Sequence, residues 1–448
     1  MKNKIKHGHR IIAFLYLVAL GLFARAYLKE IQKADRYGFN PDYDAEERVD
    51  WWINSANYFK ATGIPLMVRL SRDRVAPIEN FSLADDRLHP LLAGLLARAQ
   101  DRPADRGTLT VLALSINAVG LLLLSMVLLC LEMPLSAVLI LLIGIRYGIA
   151  GPVPGPDSYS SGVGYCALGL SALLSWTPWF WGRHDGWAKR LSTSSLGFLS
   201  LNLVTLLRQP VGVIAIAGCA IVWVFALCQQ RKGGRSGWGA ALWGIFILGF
   251  ALNVPSLLLS VRNCRYHISP GQHVPGHGVF HSLYAGLGSE LNPWGIIALD
   301  DEVGPRRVAQ IDPTIVFATP RYFQAIRREY FRLWRESPAI MLRIYRGKLM
   351  KTIAFPFRLG GYNIYWSILF ILILWPLLNR PSSISGYEMQ PALLISILWL
   401  GLFILQGVFV IAYGKYLYPA KPAVLLILCE FAEYLAVGFI RLPKVFER

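Results

Sequence analysis

Five carboxylates fall within nine residues near the start of the chain: Asp42, Asp44, Glu46, Glu47 and Asp50. A carboxylate held beside a hydroxyl can take its proton as the oxygen attacks carbon, so one of these acids could serve as a general base. Asp50 is the first choice and Glu47 the second, because Asp50 adjoins Trp51, Trp52 and the aromatic stretch that would hold it near an apolar surface. The same acids also suit a plainer part, a solvated turn at a helix N-terminus, where negative charge is favoured. Asp157, between Gly151 and Gly162, is a further candidate that could position an acceptor. Arg208 and Lys415 stand at the ends of apolar runs. There a cation could stabilise the charge that develops on a departing phosphate.

Other chemistries find less support. His267, His273, His277 and His281 lie within fifteen residues, and the last three have the i, i+4, i+8 spacing of helical metal ligands. Pro275, Gly276 and Gly278 break such a helix, so no metal site is expected and His281 reads as a polar substrate contact. The six cysteines show no Cys-x-x-Cys and no ligand spacing. No Walker sequence is present, and Gly286–Leu291 has no strand–helix context, which argues against ATP-driven transport and against direct use of a nucleotide sugar. No cofactor is implied.

These residues must be positioned by a chain that is 54% hydrophobic and 16% charged, against about 25% charged in soluble domains. Uncharged apolar runs of membrane-crossing length recur. The reading is an all-α integral membrane protein with about ten transmembrane helices, at 11–27, 109–131, 133–150, 163–182, 195–207, 210–228, 239–260, 363–379, 391–413 and 422–440. With both termini cytoplasmic, the inside segments hold fourteen Lys and Arg and the short outside loops only Arg208, Lys415 and Lys421, as the positive-inside rule requires. Residues 1–260 then form an N-terminal transmembrane module with an outer loop at 28–108, residues 261–362 a second outer loop, and 363–448 the last spans. The first span reads as an uncleaved anchor, since Arg25 interrupts its signal-like Ala24-Arg25-Ala26. Residues 195–228 read as a helical hairpin broken at Arg208-Gln209-Pro210.

The net charge of +18 does not point to nucleic acid, because the basic residues flank apolar spans. Lipid headgroups and lipid phosphates are the expected partners. In the first loop, Val49–Ala61 has the spacing of an amphipathic helix. In the second, 264–304 reads as irregular, and 321–358 carries ten basic residues against Glu329 and Glu336, with aromatic and aliphatic residues at helical spacing. That pattern suits a helix lying on a membrane. Arg146, Glu430 and Glu433 are charges within spans, where a salt bridge between helices is the first expectation.

Four stretches resemble the membrane glycosyltransferases of the C superfamily, nearest to bacterial proteins similar to protein O-mannosyltransferases and the lipid A aminoarabinose transferase. They are the acidic cluster followed by Trp52, Ala56 and Gly63; Arg87-Leu88-His89-Pro90-Leu91-Leu92; Leu206-Leu207-Arg208-Gln209-Pro210; and Lys415-Tyr416-Leu417-Tyr418-Pro419. The segment His281–Gly288, with Asn292-Pro293, is similar to one in uncharacterised bacterial members. Aligning Trp52 with the family's aromatic puts its usual acidic pair at Arg48 and Val49, straddled by Glu46, Glu47 and Asp50.

The resemblance implies a catalytic acid in the first outer loop and inverting transfer from a polyprenyl-phosphate sugar to a glycan, lipid or protein acceptor. Arg87, His89, His281 and Tyr284 would then contact substrate with Arg208 and Lys415, in what is expected to be a bacterial inner membrane. Two alternatives share parts of the outline. An O-antigen polymerase or ligase would rely on arginines without an acidic cluster after the first span. A lipid or sugar transporter would place polar residues at the bilayer midplane, often within a repeat, and no repeat is visible.

The topology is open to a direct test. Cysteines engineered at Ala61–Gly63 and at Val303–Gly304 should both react with an impermeant thiol reagent in intact spheroplasts. Protection of either position would refute the shared outer location.

Overall fold

The computed structural model describes residues 2–37, 46–71, 73–80, 86–149, 162–180, 187–232, 238–270, 278–298, 300–355, 358–359, 362–363, 389–410 and 420–441. Asp157, Lys415, His273, His277 and, apart from Asn363, the expected span 363–379 lie outside these residues. Among the described residues, five helices are long and apolar enough to cross a membrane: Ile11–Ala34, Arg106–Cys130, Gln209–Cys228, Ala241–Tyr266 and Ala392–Phe409.

Helix α1 (Lys2–Tyr37) turns Ala19, Phe23 and Tyr27 inward and leaves Phe14, Leu15, Val18 and Leu22 exposed. An apolar outer face of this length suits contact with lipid tails. After the first loop, α4 (Arg106–Cys130) starts at a capping box, in which Thr108 N donates to Asp105 Oδ1 at 2.7 Å and Asp105 N to Thr108 Oγ1 at 3.2 Å. Helix α6 (Gly162–Leu174) crosses α4 at two glycines, where a Cβ on Gly120 would come within 2.4 Å of the Gly164 carbonyl oxygen. Asn117 Oδ1 accepts from Gly164 N at 2.9 Å in the same crossing. Small residues let the backbones meet, and the amide supplies a polar tie in an apolar setting.

The turn α7 (Thr177–Phe180) leads to α8 (Trp187–Leu207) and α9 (Gln209–Lys232), separated by Arg208. Gly197 of α8 packs on Ser175, and Gly218 of α9 packs on Leu173. Residues about ten positions on either side of Arg208 thus meet the same end of α6. The two helices form the expected hairpin, with Arg208 at its tip. Helix α10 (Trp238–Tyr266) follows.

The two carboxylates expected within a span, Glu430 and Glu433, do not pair with Arg146, which lies exposed toward the C-terminal end of α5 (Pro134–Ile149). Glu433, on the last helix (Lys421–Arg441), instead accepts from Ser136 N at 2.9 Å and Leu135 N at 3.3 Å at the start of α5. Glu430 accepts from Ser396 Oγ at 3.3 Å, on the helix Met389–Phe409. A helix N-terminus offers unpaired N–H groups and a partial positive charge, so it satisfies Glu433 without burying a second ion.

The first loop folds as α2 (Glu46–Thr62), a hairpin of β1 (Met67–Arg69) and β2 (Val75–Pro77), and α3 (Leu88–Ala99). Helix α2 buries Val49, Trp52, Ser55, Ala56 and Phe59, the stripe its periodicity predicts. The second loop departs from expectation. It contains helices α11 (Gly278–Ala285), α12 (Val303–Ile311), α13 (Pro320–Glu336) and α14 (Pro338–Ala354), so 264–304 is not wholly irregular. The apolar stripe of α13 is also not left for a bilayer. Tyr322, Ile326, Tyr330 and Leu333 are buried with Tyr284, Leu287, Val308, Met341 and Ile344 in a small core of their own.

This unit of α11–α14 seats on α15 (Met389–Phe409) through Gly286, where a Cβ would lie 1.6 Å from the Val410 carbonyl oxygen. The neighbour is backbone and cannot swing aside. Gly286→Ala should therefore destabilise the protein by at least about 1–3 kcal/mol, measured as a lowered thermal midpoint in detergent. An unchanged midpoint would mean that the unit does not seat on α15.

Candidate functional site

At the tip of the α8–α9 hairpin, Arg208 is buried and ion-paired through Nη1 to Oδ2 of Asp86, which has no exposed surface. The other oxygen, Oδ1, accepts from Gln209 N at 3.0 Å, so the same carboxylate caps the first turn of α9. Asp86 comes from the first loop, two residues before α3, whose N-terminal residues bring in the next groups. The imidazole of His89 stacks on Trp52 of α2, with centroids 4.5 Å apart and planes 8° from parallel. His89 Nε2 lies 3.0 Å from the Tyr165 hydroxyl on α6. Trp52, His89 and Tyr165 are all buried. A buried charge of either sign is costly without its partner, so the loop and the hairpin tip hold each other in register.

A second clamp lies nearby in the chain. Arg262, near the end of α10, donates from Nη1 to Glu79 Oε2 at 2.9 Å and to the Leu66 carbonyl at 2.8 Å. Tyr266 donates to the Gly63 carbonyl at 2.8 Å. The first loop is thus fixed to two hydrophobic helical segments, and the α11–α14 unit follows that same end of α10 in the chain.

Three of the stretches that carry the family resemblance therefore meet here: Trp52, the Arg87–Leu92 stretch and Leu206–Pro210. Arg87 is half-buried at the N-cap position of α3. Asp50 is not brought to this cluster. It lies on the exposed side of α2, 66% exposed, with its carboxylate 3.8 Å from Arg106. Glu47 lies in the first turn of the same helix.

His281 and Tyr284 are placed elsewhere, in the core of the α11–α14 unit. His281 Nδ1 is 2.6 Å from the Tyr322 hydroxyl, and Gly304 packs against both rings. Burial pushes the Tyr284 phenol up to about 12. Their position makes them structural pins of that unit. Among the described residues, no group of three His, Cys, Asp or Glu is arranged to hold a metal ion.

Asp86 is the residue that sequence reasoning missed. Its only signal was adjacency, since it immediately precedes Arg87-Leu88-His89-Pro90. Lys348 was missed as well. It is fully buried on α14, donates to the Val410 carbonyl at 2.9 Å, and is held down to about 7 by burial, partly opposed by Glu290. The chain matches no family model, no curated protein and no solved structure.

The pairing can be measured by a double-mutant cycle. Asp86→Ala or Arg208→Ala alone should cost about 3–5 kcal/mol of stability, because each leaves a buried charge uncompensated. The double variant Asp86→Ala/Arg208→Ala should cost much less than the sum of the two. Additive losses would show that the two groups do not interact.

Proposed function

We propose that this chain is a membrane glycosyltransferase of the C superfamily type. It moves a sugar from a polyprenyl-phosphate carrier to a hydroxyl-bearing acceptor at the outer face of a bacterial inner membrane. The observation that supports this reading is convergence. Three short stretches, the last more than a hundred residues beyond the other two and each resembling that superfamily, gather around one buried carboxylate–guanidinium pair. The ten spans, the cytoplasmic termini and the outer position of both loops belong to the same proposal.

The chemistry assigns a role to each group. Asp86 is a positioning residue that orients Arg208. Arg208, with Lys415 as second choice, receives the donor phosphate, while the lipid tail stays in the bilayer. The acceptor oxygen attacks the anomeric carbon opposite the phosphate, and the carbon–oxygen bond to phosphate breaks with its electron pair leaving on that oxygen. The guanidinium stabilises the charge that appears there. The acceptor proton passes to a carboxylate of the first loop, Asp50 or Glu47, and Asp157 positions the acceptor. The configuration at the anomeric carbon inverts.

The test is transfer by the purified chain in a bilayer supplied with a panel of polyprenyl-phosphate sugars. Arg208→Ala should lower turnover at limiting donor by about one to two orders of magnitude, since a charge-assisted contact contributes roughly 1.5–3 kcal/mol, and Arg208→Lys should restore part of it. Asp50→Asn should lower turnover about 10²–10⁴-fold with donor binding intact. If Asp50→Asn is fully active and Glu47→Gln is inactive, the base is Glu47. Full activity in Arg208→Ala, or no transfer from any lipid-phosphate sugar, sinks the reading.

A further inference from the structure

The arginines of the α11–α14 unit are more than a charge excess. Arg321, Arg328, Arg332 and Arg335 recur along one side of α13, facing Arg307 of α12 across a groove of about 530 Å³. Gln324, Asp312 and Glu329 add polar groups, and Ile311, Ile315 and Ala325 form an apolar floor. From Arg321 to Arg335 the row runs about 21 Å, at roughly 1.5 Å per helical residue.

Part of this row is held in place from beneath. Glu329 is buried and accepts from Arg307 Nε at 2.7 Å, and from Arg332 Nε and Nη2 at 2.8 Å each. The Arg332 hydrogen bonds keep its carboxyl below the usual range although burial opposes this. One acid therefore orients two guanidinium groups, and five arginines line a groove that holds two carboxylates. Arg328 and Arg335 are exposed and lie two turns apart, and no carboxylate among the described residues is within ion-pair distance of either. Both also line an adjoining hollow with Arg327 and Phe331.

A bilayer is the first occupant to weigh, and the packing disfavours it. A helix that lies on a membrane inserts its apolar face, and that face of α13 is already buried against α11, α12 and α14. An extended row suits anions spaced along a chain better than a single phosphate, which favours a convergent bowl. Carboxylates and phosphates fit the planar fork of arginine, and an apolar floor suits the C–H faces of sugar rings.

We infer that the α12–α13 groove binds an anionic saccharide, one carrying carboxylates or phosphates along its chain, and that this saccharide is the acceptor of transfer. The second clause rests on the glycosyltransferase reading, and the first does not. The acceptor would dock by its charges on the α11–α14 unit while its reacting end reaches the first loop.

The test is binding without any sugar donor, using the full-length protein in nanodiscs of neutral lipid. The probes are hexagalacturonate for carboxylate, a ribosylribitol phosphate hexamer for phosphate, and maltohexaose as the uncharged control. At least one anionic probe should bind saturably, weaken with added salt, and outcompete maltohexaose. Arg328→Ala/Arg335→Ala should weaken it about ten- to a hundredfold for each guanidinium removed. These two side chains are exposed and have no protein partner to orphan, so the fold should be unaffected.

Equal binding of all three probes, binding of none, or an unchanged affinity in the double variant overturns the inference. If no anionic probe binds while the double variant loses flotation with phosphatidylglycerol vesicles, the groove is a membrane contact instead. Because no donor is present, a chain that fails every transfer assay still reports on the groove. Normal transfer to a neutral acceptor without probe binding sinks the groove alone.

Discussion

The structure turns on the requirement that a buried charge meet its partner. Arg208 sits at the tip of a hairpin whose flanking residues are apolar, where a lone guanidinium would be expensive. Asp86 meets it, and in doing so fixes where the first loop ends, where α3 begins and how His89 is presented to Trp52 and Tyr165. Arg262 and Glu79 repeat the arrangement at the end of α10. Between them the two pairs convert a long connection into a rigid cap on the helix bundle.

The α11–α14 unit is joined to the bundle by a different kind of contact. Gly286 allows backbone to touch backbone at Val410, and the buried Lys348 amine donates to the same carbonyl. A cation at the C-terminal end of α15 suits the partial negative charge there. The position of the unit is therefore read directly by the last turn of a membrane-length helix. Residues 411–419, with Lys415, continue from that turn.

What was legible in the sequence follows from how local each signal is. The α2 stripe is a period of a few residues, and it sits where its spacing places it. The hairpin at Arg208-Gln209-Pro210 was legible because a charge and a proline interrupt two apolar runs. The apolar stripe of α13 was equally visible, but a stripe records only that something apolar covers it. Whether that cover is lipid or the side chains of α11, α12 and α14 is a tertiary fact. Asp86 was hidden for the same reason: in a loop with thirteen acids, only a partner 122 residues away separates it from the rest. Glu433 shows the converse, a conspicuous charge whose partners are two backbone amides that carry no signature in the sequence.

The order of the two clamps along the chain has a consequence for biogenesis. Each acid precedes its arginine, Asp86 by 122 residues and Glu79 by 183. At 5–20 residues per second of synthesis, Asp86 leaves the ribosome on the order of ten seconds before Arg208. When the hairpin carrying Arg208 is synthesised, its counter-ion is thus already present in the chain. Reversing the order of the two charges would leave the final pairing unchanged and have the guanidinium emerge before its counter-ion.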